Sequence, residues 1–537
     1  MNIDMTSVGL PEMSVMTWLL ALLPVIVVLT LMMAFKMSGA RAGVVSWLVA
    51  AGVVYFTFGG GVDVLASGTV KGLWTTLFVL FIIWSSMYLY NIVDSTGSFK
   101  VIAATFTKLT NGNKLLQLLI LGWVFPTFIQ GVCGFGVPVA VSTPLLIGLG
   151  FDPMTSVITA LLGHSWGITF GSLGASYAVL LQLSPVEAAP MAFWGSLFIA
   201  FGALIVGFCI LHNYGGMSAI KEGTVAVLFL QLVMGGSLIA VCFVSPNVAT
   251  FVAGAVGLVA GGFVLPKFKA YRPAPDAAPL EEDPEVAGKS FIDAFSAYLI
   301  LIVVVFAVYL IAPVKNFLEQ DMFLLGLSFP ETVTEYGYTE AATEKYSALK
   351  ILTTPGTLIV ISSFLAAAFY KSKGLLPEGA LGQSWKKTMA QSAGSTATIM
   401  PMTMMAVLIT AGGLTTYIAY GIAMTAGGFF PILSPFIGLL GGFVTSSGTS
   451  SNILFTSLQY EVANVLNISP YIILSAQTTA SSLSNSFSPG NAALGAGVSG
   501  LAGREGEILK VTGMYNVIQS LLVGLLAYLL ISLGMGM

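Results

Sequence analysis

Gln130-Gly-Val-Cys-Gly-Phe-Gly-Val-Pro138 breaks a long apolar run, and Thr445-Ser-Ser-Gly-Thr-Ser-Ser-Asn452 breaks another in the last part of the chain. Each is followed by an apolar arm and a second interruption, Phe151-Asp-Pro153 in the first case and Asn467-Ile-Ser-Pro470 in the second. A shift of 317 residues lays Gly131 on Gly448 and Pro153 on Pro470. The same shift carries the apolar run Leu73–Val93 onto Ala390–Thr410, and the broken span Gly167–Ala175 onto Ser484–Ala492. Identity between the halves is low, so the shared punctuation is what marks a repeat.

Around these landmarks the chain is apolar from end to end. Hydrophobic residues make up 56% of it and charged residues 8%, where a soluble domain carries roughly 25% charged residues. Apolar runs near the ~20 residues needed to cross hydrocarbon recur at Met16–Phe35, Ala42–Phe58, Leu73–Val93, Met191–Leu211, Thr224–Val244, Val248–Leu265, Phe291–Ile311, Ile351–Tyr370 and Met514–Met535. The short alternating segments of a membrane barrel are not the pattern. Cys133, Cys209 and Cys242 all sit in apolar runs and read as small buried hydrophobes. With His164 and His212 as the two histidines, no metal set and no cofactor are expected. A net charge of −3 gives no case for nucleic acid.

Basic loop residues orient a membrane protein, because Lys and Arg stay on the cytoplasmic side. Loops around Lys36/Arg41, Lys100/Lys108/Lys114, Lys221, Lys267/Lys269/Arg272/Lys289, Lys371/Lys373/Lys386/Lys387 and Arg504/Lys510 hold 16 of the 20 basic residues. The alternate loops hold Lys71, Lys315, Lys345 and Lys350. The expectation is an all-α polytopic membrane protein of about 12 transmembrane helices plus two re-entrant hairpins, with both termini outside. Its first half, 1–265, carries a hairpin at 115–150, and its second half, 291–537, carries one at 430–466. A cytoplasmic linker, 266–290, joins them through the Pro- and acid-rich stretch Pro273–Glu285. An external insertion, 314–350, carries Glu331, Glu335, Glu340 and Glu344, read as a solvated acidic face. The charge rule gives the two repeat units opposite orientations. Inverted repeats with paired interrupted helices point to a transporter whose site lies near the midplane.

Backbone groups freed at membrane depth must be satisfied by protein or line a wet cavity, so the breaks are the candidate site. Gln130, Gly131, Cys133, Gly134, Phe135 and Gly136 form the first tip, where glycines allow a tight turn and close approach of a ligand. Close helix packing through small residues would explain the same glycines. Ser447, Gly448, Thr449, Ser450, Ser451 and Asn452 form the second tip. Their side chains suit a helix start, and the free N–H groups there suit a carboxylate. Beyond each hairpin lie His164 and Ser165 in the first half and Ser482, Asn485 and Ser488 in the second, candidates for ion coupling. An ionisable residue inside a membrane segment is a functional candidate by default, and histidine exchanges a proton near neutral pH. A packing histidine is the alternative.

At these residues the chain resembles the L-lactate permease family. Gly131–Gly150 followed by Pro153 is similar to that family's G-x-x-G-F-G-x-P-V-A hairpin and its L-L-x-G-L-G-F-x-P ending. Gly442–Phe455 is similar to its second hairpin, T-G-S-D-T-S-S-N-x-L-F, and Ser488-Pro489 and Gly500–Glu505 fit its S-P-Q and G-x-x-G-K/R-E patterns. The resemblance implies proton-coupled transport of lactate, in some members glycolate, on an ion-transporter architecture in which a scaffold supports a mobile domain carrying both hairpins. Four positions depart from it. Gln130 stands where an acidic residue is common, Gly448 replaces an Asp, His164 an Asn and Asn485 a Lys. Coupling through those carboxylates and a lysine–substrate ion pair therefore do not carry over.

The expected function is uptake of a small 2-hydroxy monocarboxylate, lactate or glycolate, in symport with a cation, H⁺ for preference, by alternating access of an elevator type in the cytoplasmic membrane. Expected partners are that small organic anion, membrane lipid and a second copy of the chain as a homodimer. The alternatives are a Na⁺-coupled carrier of a sulfonate or dicarboxylate and, more remotely, an anion channel. A hydrolase using Ser165 or Ser482 with His164 would need an acidic orienter that the segment does not offer. The charge pattern makes one direct prediction. A cysteine at Ala341 should react with an impermeant maleimide added to intact cells, and a cysteine at Ala278 should not; labelling of Ala278 from outside would reverse the orientation.

Overall fold

A computed structural model describes residues 5–110, 112–134, 136–272, 286 and 288–536; Phe135 and the stretch Pro273–Glu285 lie outside the described residues. The first half runs α1 Val15–Met33, α2 Gly39–Phe56, α3 Val62–Ser95, α4 Ser98–Leu109, α5 Lys114–Val132, α6 Val137–Gly148, α7 Pro153–Ser165, α8 Ala175–Gln182, α9 Ala188–Cys242 and α10 Pro246–Lys267. The second runs α11 Phe291–Leu310, α12 Ala312–Leu318, α13 Pro355–Ser372, α14 Ala380–Ala411, α15 Leu414–Ala426, α16 Phe430–Thr445, α17 Gly448–Val465, α18 Pro470–Leu483, α19 Pro489–Ser499 and α20 Glu505–Ser532. Outer helices turn large apolar side chains outward, Leu19 and Ile26 on α1, Val303 on α11 and Leu525 and Leu529 on α20. A surface of that kind suits lipid.

Among the described residues, ten helices are long and apolar enough to cross a membrane. The ten include Lys114–Val132 and the merged run Leu414–Thr445 (α15 and α16), so they do not match the expected spans one for one. Pro355–Ser372, a span on composition, is not among the ten, and the two expected spans Met191–Leu211 and Thr224–Val244 fall in the single 55-residue α9. At about 82 Å α9 is far longer than the ~30 Å of hydrocarbon. It is broken at Gly215 and Gly216, the latter at φ 60°, ψ −143°. The chain then folds back, since a Cβ at Gly207 would lie 2.8 Å from Val227 and one at Gly223 2.6 Å from Leu211. By contrast α6, 12 residues or about 18 Å, is too short to cross.

Helix starts follow the 317-residue shift closely. Pro153 and Pro470 open α7 and α18, and Ala188 and Glu505 open α9 and α20. The equivalent long helices α3 and α14 lie against each other and run antiparallel. Trp84 Nε1 donates to Thr396 Oγ1 at 3.0 Å, Asn91 Nδ2 to Thr388 Oγ1 at 2.9 Å, and Lys387 pairs with Asp94 at 2.8 Å. A Cβ at Gly72 would sit 2.5 Å from Met404 Cα, so glycine lets the two backbones close up there. In this register, residues one shift apart face each other near Ile82 and Ile399. The short helices cross over between halves: a Cβ at Gly136 before α6 would meet Leu494 of α19, and Asn452 of α17 donates to the Ser176 carbonyl of α8 at 3.2 Å.

The insertion corrects the all-α expectation. Its residues form β1 Leu324–Phe329, β2 Thr332–Val333, β3 Thr339–Glu340 and β4 Thr343–Lys350, paired antiparallel as β1–β4 and β2–β3. Every residue of β4 is exposed or half-buried, and Thr and Tyr are among them, as suits a short strand at a watery surface. The acidic face is not wholly solvated either. Glu340 reaches Lys71, which lies inside α3 and not in a loop, at 2.8 Å; the lysine side chain is 1% exposed and the glutamate 27%. Lys71 Nζ also lies 5.2 Å and 5.4 Å from the ring centres of Phe329 and Tyr346. Burying an ammonium requires such partners, so this pair fastens the insertion to α3. Glu340→Gln should lower stability by about 2–3 kcal/mol, less than a fully buried pair because the glutamate is partly exposed. Combining it with Lys71→Met should recover most of the loss, as melting in detergent will measure; equal melting of all three proteins contradicts the assignment.

Candidate functional site

The two tips are built by local backbone rules. Gly136 caps α6 at φ 81°, a left-handed position that glycine takes without strain, and Pro138 sits in the first turn. At the second tip Ser446 takes φ 52°, and Ser447 Oγ accepts the Ser450 N–H at 3.2 Å, capping α17. The amides of Gly448 and Thr449 are left without an intrahelical partner. After each hairpin the next helix stops, α7 at Ser165 and α18 at Leu483, and restarts as α8 and α19. Ser172, at φ 46°, accepts the Gly134 N–H at 2.9 Å, and Ser446 accepts the Gly490 N–H at 3.2 Å. In each half a strained serine thus ties a hairpin tip to a helix break.

Tips and breaks enclose one side of a cavity of about 240 Å³, and α3 and α14 enclose the other. Of the candidate residues, Gln130, Gly134, Gly136, His164, Ser447, Gly448, Thr449, Ser450 and Asn485 line it. The remaining candidates lie behind the lining. Gly131 packs on the Phe251 backbone, and Cys133 Sγ lies 3.0 Å from Met87 Sδ. Ser165 donates to the Leu162 carbonyl, Ser451 to Gly438 and Ser488 to Asn485. Asn452 donates to Thr478 Oγ1 at 2.9 Å and accepts from Gln477 Nε2 at 3.1 Å. Ser482 lies 2.7 Å from Thr169, which lies 3.0 Å from Thr478. These hydroxyls and amides join the broken helices to each other. Phe135 falls outside the described residues.

The cavity also takes in residues outside that candidate set: Ser172, Ser446 and Asn491 in the interrupted stretches, and Ser395, Thr398, Ile83, Ile168 and Ile399. The stretch Ser392-Ala-Gly-Ser-Thr-Ala-Thr398, hydroxyl-rich inside an apolar helix, was the available signal for α14.

Among the described lining residues none is Asp, Glu, Lys or Arg, and His164 is the titratable one. His164 is 2% exposed, and its Nδ1 lies 3.1 Å from the Ala160 carbonyl. A carbonyl only accepts, so Nδ1 carries the proton and Nε2 is left as an acceptor on a residue that lines the cavity. Gln130 is 3% exposed, and a Cβ at Gly134 would lie 3.0 Å from its Nε2. The described residues contain no group of three or more His, Cys, Asp or Glu able to hold a metal ion. Neither Ser165 nor Ser482 bonds to His164.

The model of the family described as L-lactate permease matches residues 17–534. The chain belongs to the L-lactate permease family. It is 26% identical to "Glycolate permease GlcA" of Escherichia coli (strain K12) over 563 residues and 28% identical to "L-lactate permease" of Salmonella typhi over 541 residues, each alignment covering 95% of both chains. Among solved structures it is similar to the Alcanivorax borkumensis YdaH transporter, with a TM-score of 0.49, 15% identity, and coverage of 88% of this chain and 89% of that one. Like its relatives in the L-lactate permease family, the protein is a permease and not an enzyme, a multi-pass protein of the cytoplasmic membrane.

The geometry separates two residues that look alike in sequence. Thr449→Ala removes a cavity hydroxyl and should weaken apparent substrate affinity about fivefold, or ~1 kcal/mol, with unchanged melting temperature. Asn452→Ala strips a buried network and should lower the melting temperature first. Competition uptake and thermal melting on the same preparations distinguish them, and the reverse pattern refutes this division of roles.

Proposed function

We propose that this protein takes up a small 2-hydroxy monocarboxylate, lactate or glycolate, in symport with a proton, across two inverted repeats with re-entrant hairpins that alternate access in the elevator manner. The observation that carries the reading is a cavity at the meeting of both tips and both breaks that holds no fixed charge and one titratable side chain. The antiparallel packing of α3 on α14 and the reciprocal docking of each hairpin on the other half support the inversion, and the shortness of α6 supports re-entry. With the basic loops inside, both termini lie outside.

A carboxylate entering this cavity meets the unpaired amides of Gly448 and Thr449 at the positive end of α17, with Ser450 beside them. These neutral donors can hold an anion but leave its charge uncompensated in a low-dielectric site. A proton on His164 Nε2 completes the charge balance. The proton and the anion then favour each other's binding, as symport requires. A cavity of about 240 Å³ lies just under the ~300–1,000 Å³ of sites for drug-sized ligands, which suits an acid of a few carbon atoms. The names of the curated relatives, a glycolate permease and L-lactate permeases, point to the same acids.

The test is uptake into proteoliposomes with pH and Na⁺ gradients imposed independently. An inward proton gradient should drive accumulation of L-lactate or glycolate. His164→Gln should abolish that drive yet retain exchange of substrate for substrate. Uptake that needs Na⁺ and ignores pH would replace the proton by sodium, with the clustered oxygens of Thr169, Thr478 and Ser482 as the candidate cage.

A further inference from the structure

The cavity is polar on nearly every side, with hydroxyls, amides, an imidazole and glycines; its apolar exceptions are Ile83, Ile168 and Ile399. Ile168 belongs to the tip side, because a Cβ at Gly448 would lie 2.8 Å from its Cγ2. The other two belong to α3 and α14. The contact of Trp84 with Thr396 sets the register, and it brings Ile83 within one turn of Ile399. The pair is 2% and 3% exposed, so the little surface each retains is cavity wall.

That wall is held stiffly. A Cβ at Gly68 would lie 3.0 Å from Leu408 Cα and one at Gly72 2.5 Å from Met404 Cα, so the backbones of α3 and α14 are already in contact. Asn91, Thr388 and Gln391 fasten the same helices farther along. A wall built on two packed helices yields little to a larger ligand, and overpacking is resisted where neighbours cannot move.

We infer that Ile83 and Ile399 gauge the substituent on the substrate's C2 carbon, so that this carrier accepts a methyl group there and turns away longer chains. The inference rests on the 2-hydroxy monocarboxylate reading and adds the specificity-determining residues to it. With the carboxylate at the α17 start, the far end of a short acid faces the α3–α14 side. A methyl group buried against two isoleucines favours lactate over glycolate by about fourfold on transfer alone, and by roughly tenfold or more in a pocket that fits it.

The experiment compares counterflow uptake of glycolate, L-lactate and 2-hydroxybutyrate by the full-length protein in proteoliposomes. Wild-type protein should favour lactate and carry 2-hydroxybutyrate poorly. Ile399→Ala and Ile83→Ala should each raise 2-hydroxybutyrate relative to lactate by at least tenfold, and Ile399→Phe should shift preference to glycolate. If an alanine variant does not fold, Ile399→Val and Ile83→Val remove one methylene each and should still move the ratio several-fold. Unchanged ratios in monodisperse, active variants overturn the assignment. Wild-type protein inert toward all three acids would overturn the carrier reading beneath it, an outcome recognisable before any variant is made.

Discussion

Backbone N–H and C=O groups released where a helix breaks at membrane depth have no water to turn to, and leaving one unpaired costs several kcal/mol. Much of the polar chemistry in this chain answers that constraint. Thr250 Oγ1 donates to the Gly167 carbonyl at 2.8 Å, the Tyr177 N–H to Thr169 at 3.0 Å, and Ser481 Oγ to the Gly448 carbonyl at 3.3 Å. The serines at 172 and 446 accept amides across the tip-to-break junctions, at the cost of a left-handed backbone at each. Polar residues in these segments are therefore of two kinds. One kind satisfies the broken backbone, and the other is left over and faces the cavity.

That division sets how much of the site was legible in the sequence. Glycine and proline punctuation is local chemistry, so the helix breaks expected within 115–150 and 430–466 appear between α5 and α6 and between α16 and α17. Asp152 and Ser469 cap α7 and α18 ahead of Pro153 and Pro470, at the second interruption of each half. Which hydroxyl of a Ser-Ser-Gly-Thr-Ser-Ser-Asn run faces a ligand is a matter of helix phase. One residue of rotation, about 100°, sends Ser450 into the cavity and Ser451 to the Gly438 carbonyl. Composition cannot resolve that angle. The α14 wall was missed for a different reason: its glycine and hydroxyls resemble ordinary close helix packing until the partner helix is known. The Lys71–Glu340 pair joins residues some 270 positions apart, beyond the reach of any local pattern.

The neutrality of the cavity rests on Gln130, Gly448 and Asn485, uncharged residues that line it. A Cβ at Gly448 would already press on Ile168 at 2.8 Å. An aspartate there requires Ile168 to move, so Gly448 and Ile168 form a matched pair. Gln130 is held between Gly134 and Gly171, where a Cβ at either glycine would approach its Nε2 to 3.0 Å or 2.9 Å. The amide thus occupies a space with little slack. Removing fixed charge lowers the cost of an empty site in a low-dielectric setting. It also obliges any anion to bring or find its counter-charge.

The shift of 317 residues relates the two halves in position but not in chemistry. Gln130 corresponds to Ser447 and His164 to Ser481. One half therefore contributes an amide and an imidazole, and the other a serine cap and the start of α17. In the repeat we propose, symmetry places the cavity where equivalent segments face each other, near Ile82 and Ile399, as a site reached in turn from both sides requires. Divergence then gives that cavity two unlike ends. In that proposal the start of α17 offers donors to a carboxylate, and His164 in the same cavity offers a lone pair to a proton. A symmetric pair of histidines or of serine caps would provide two equal sites for one of the two partners. In the symport we propose, the acid and the proton each have one site, at the start of α17 and at His164.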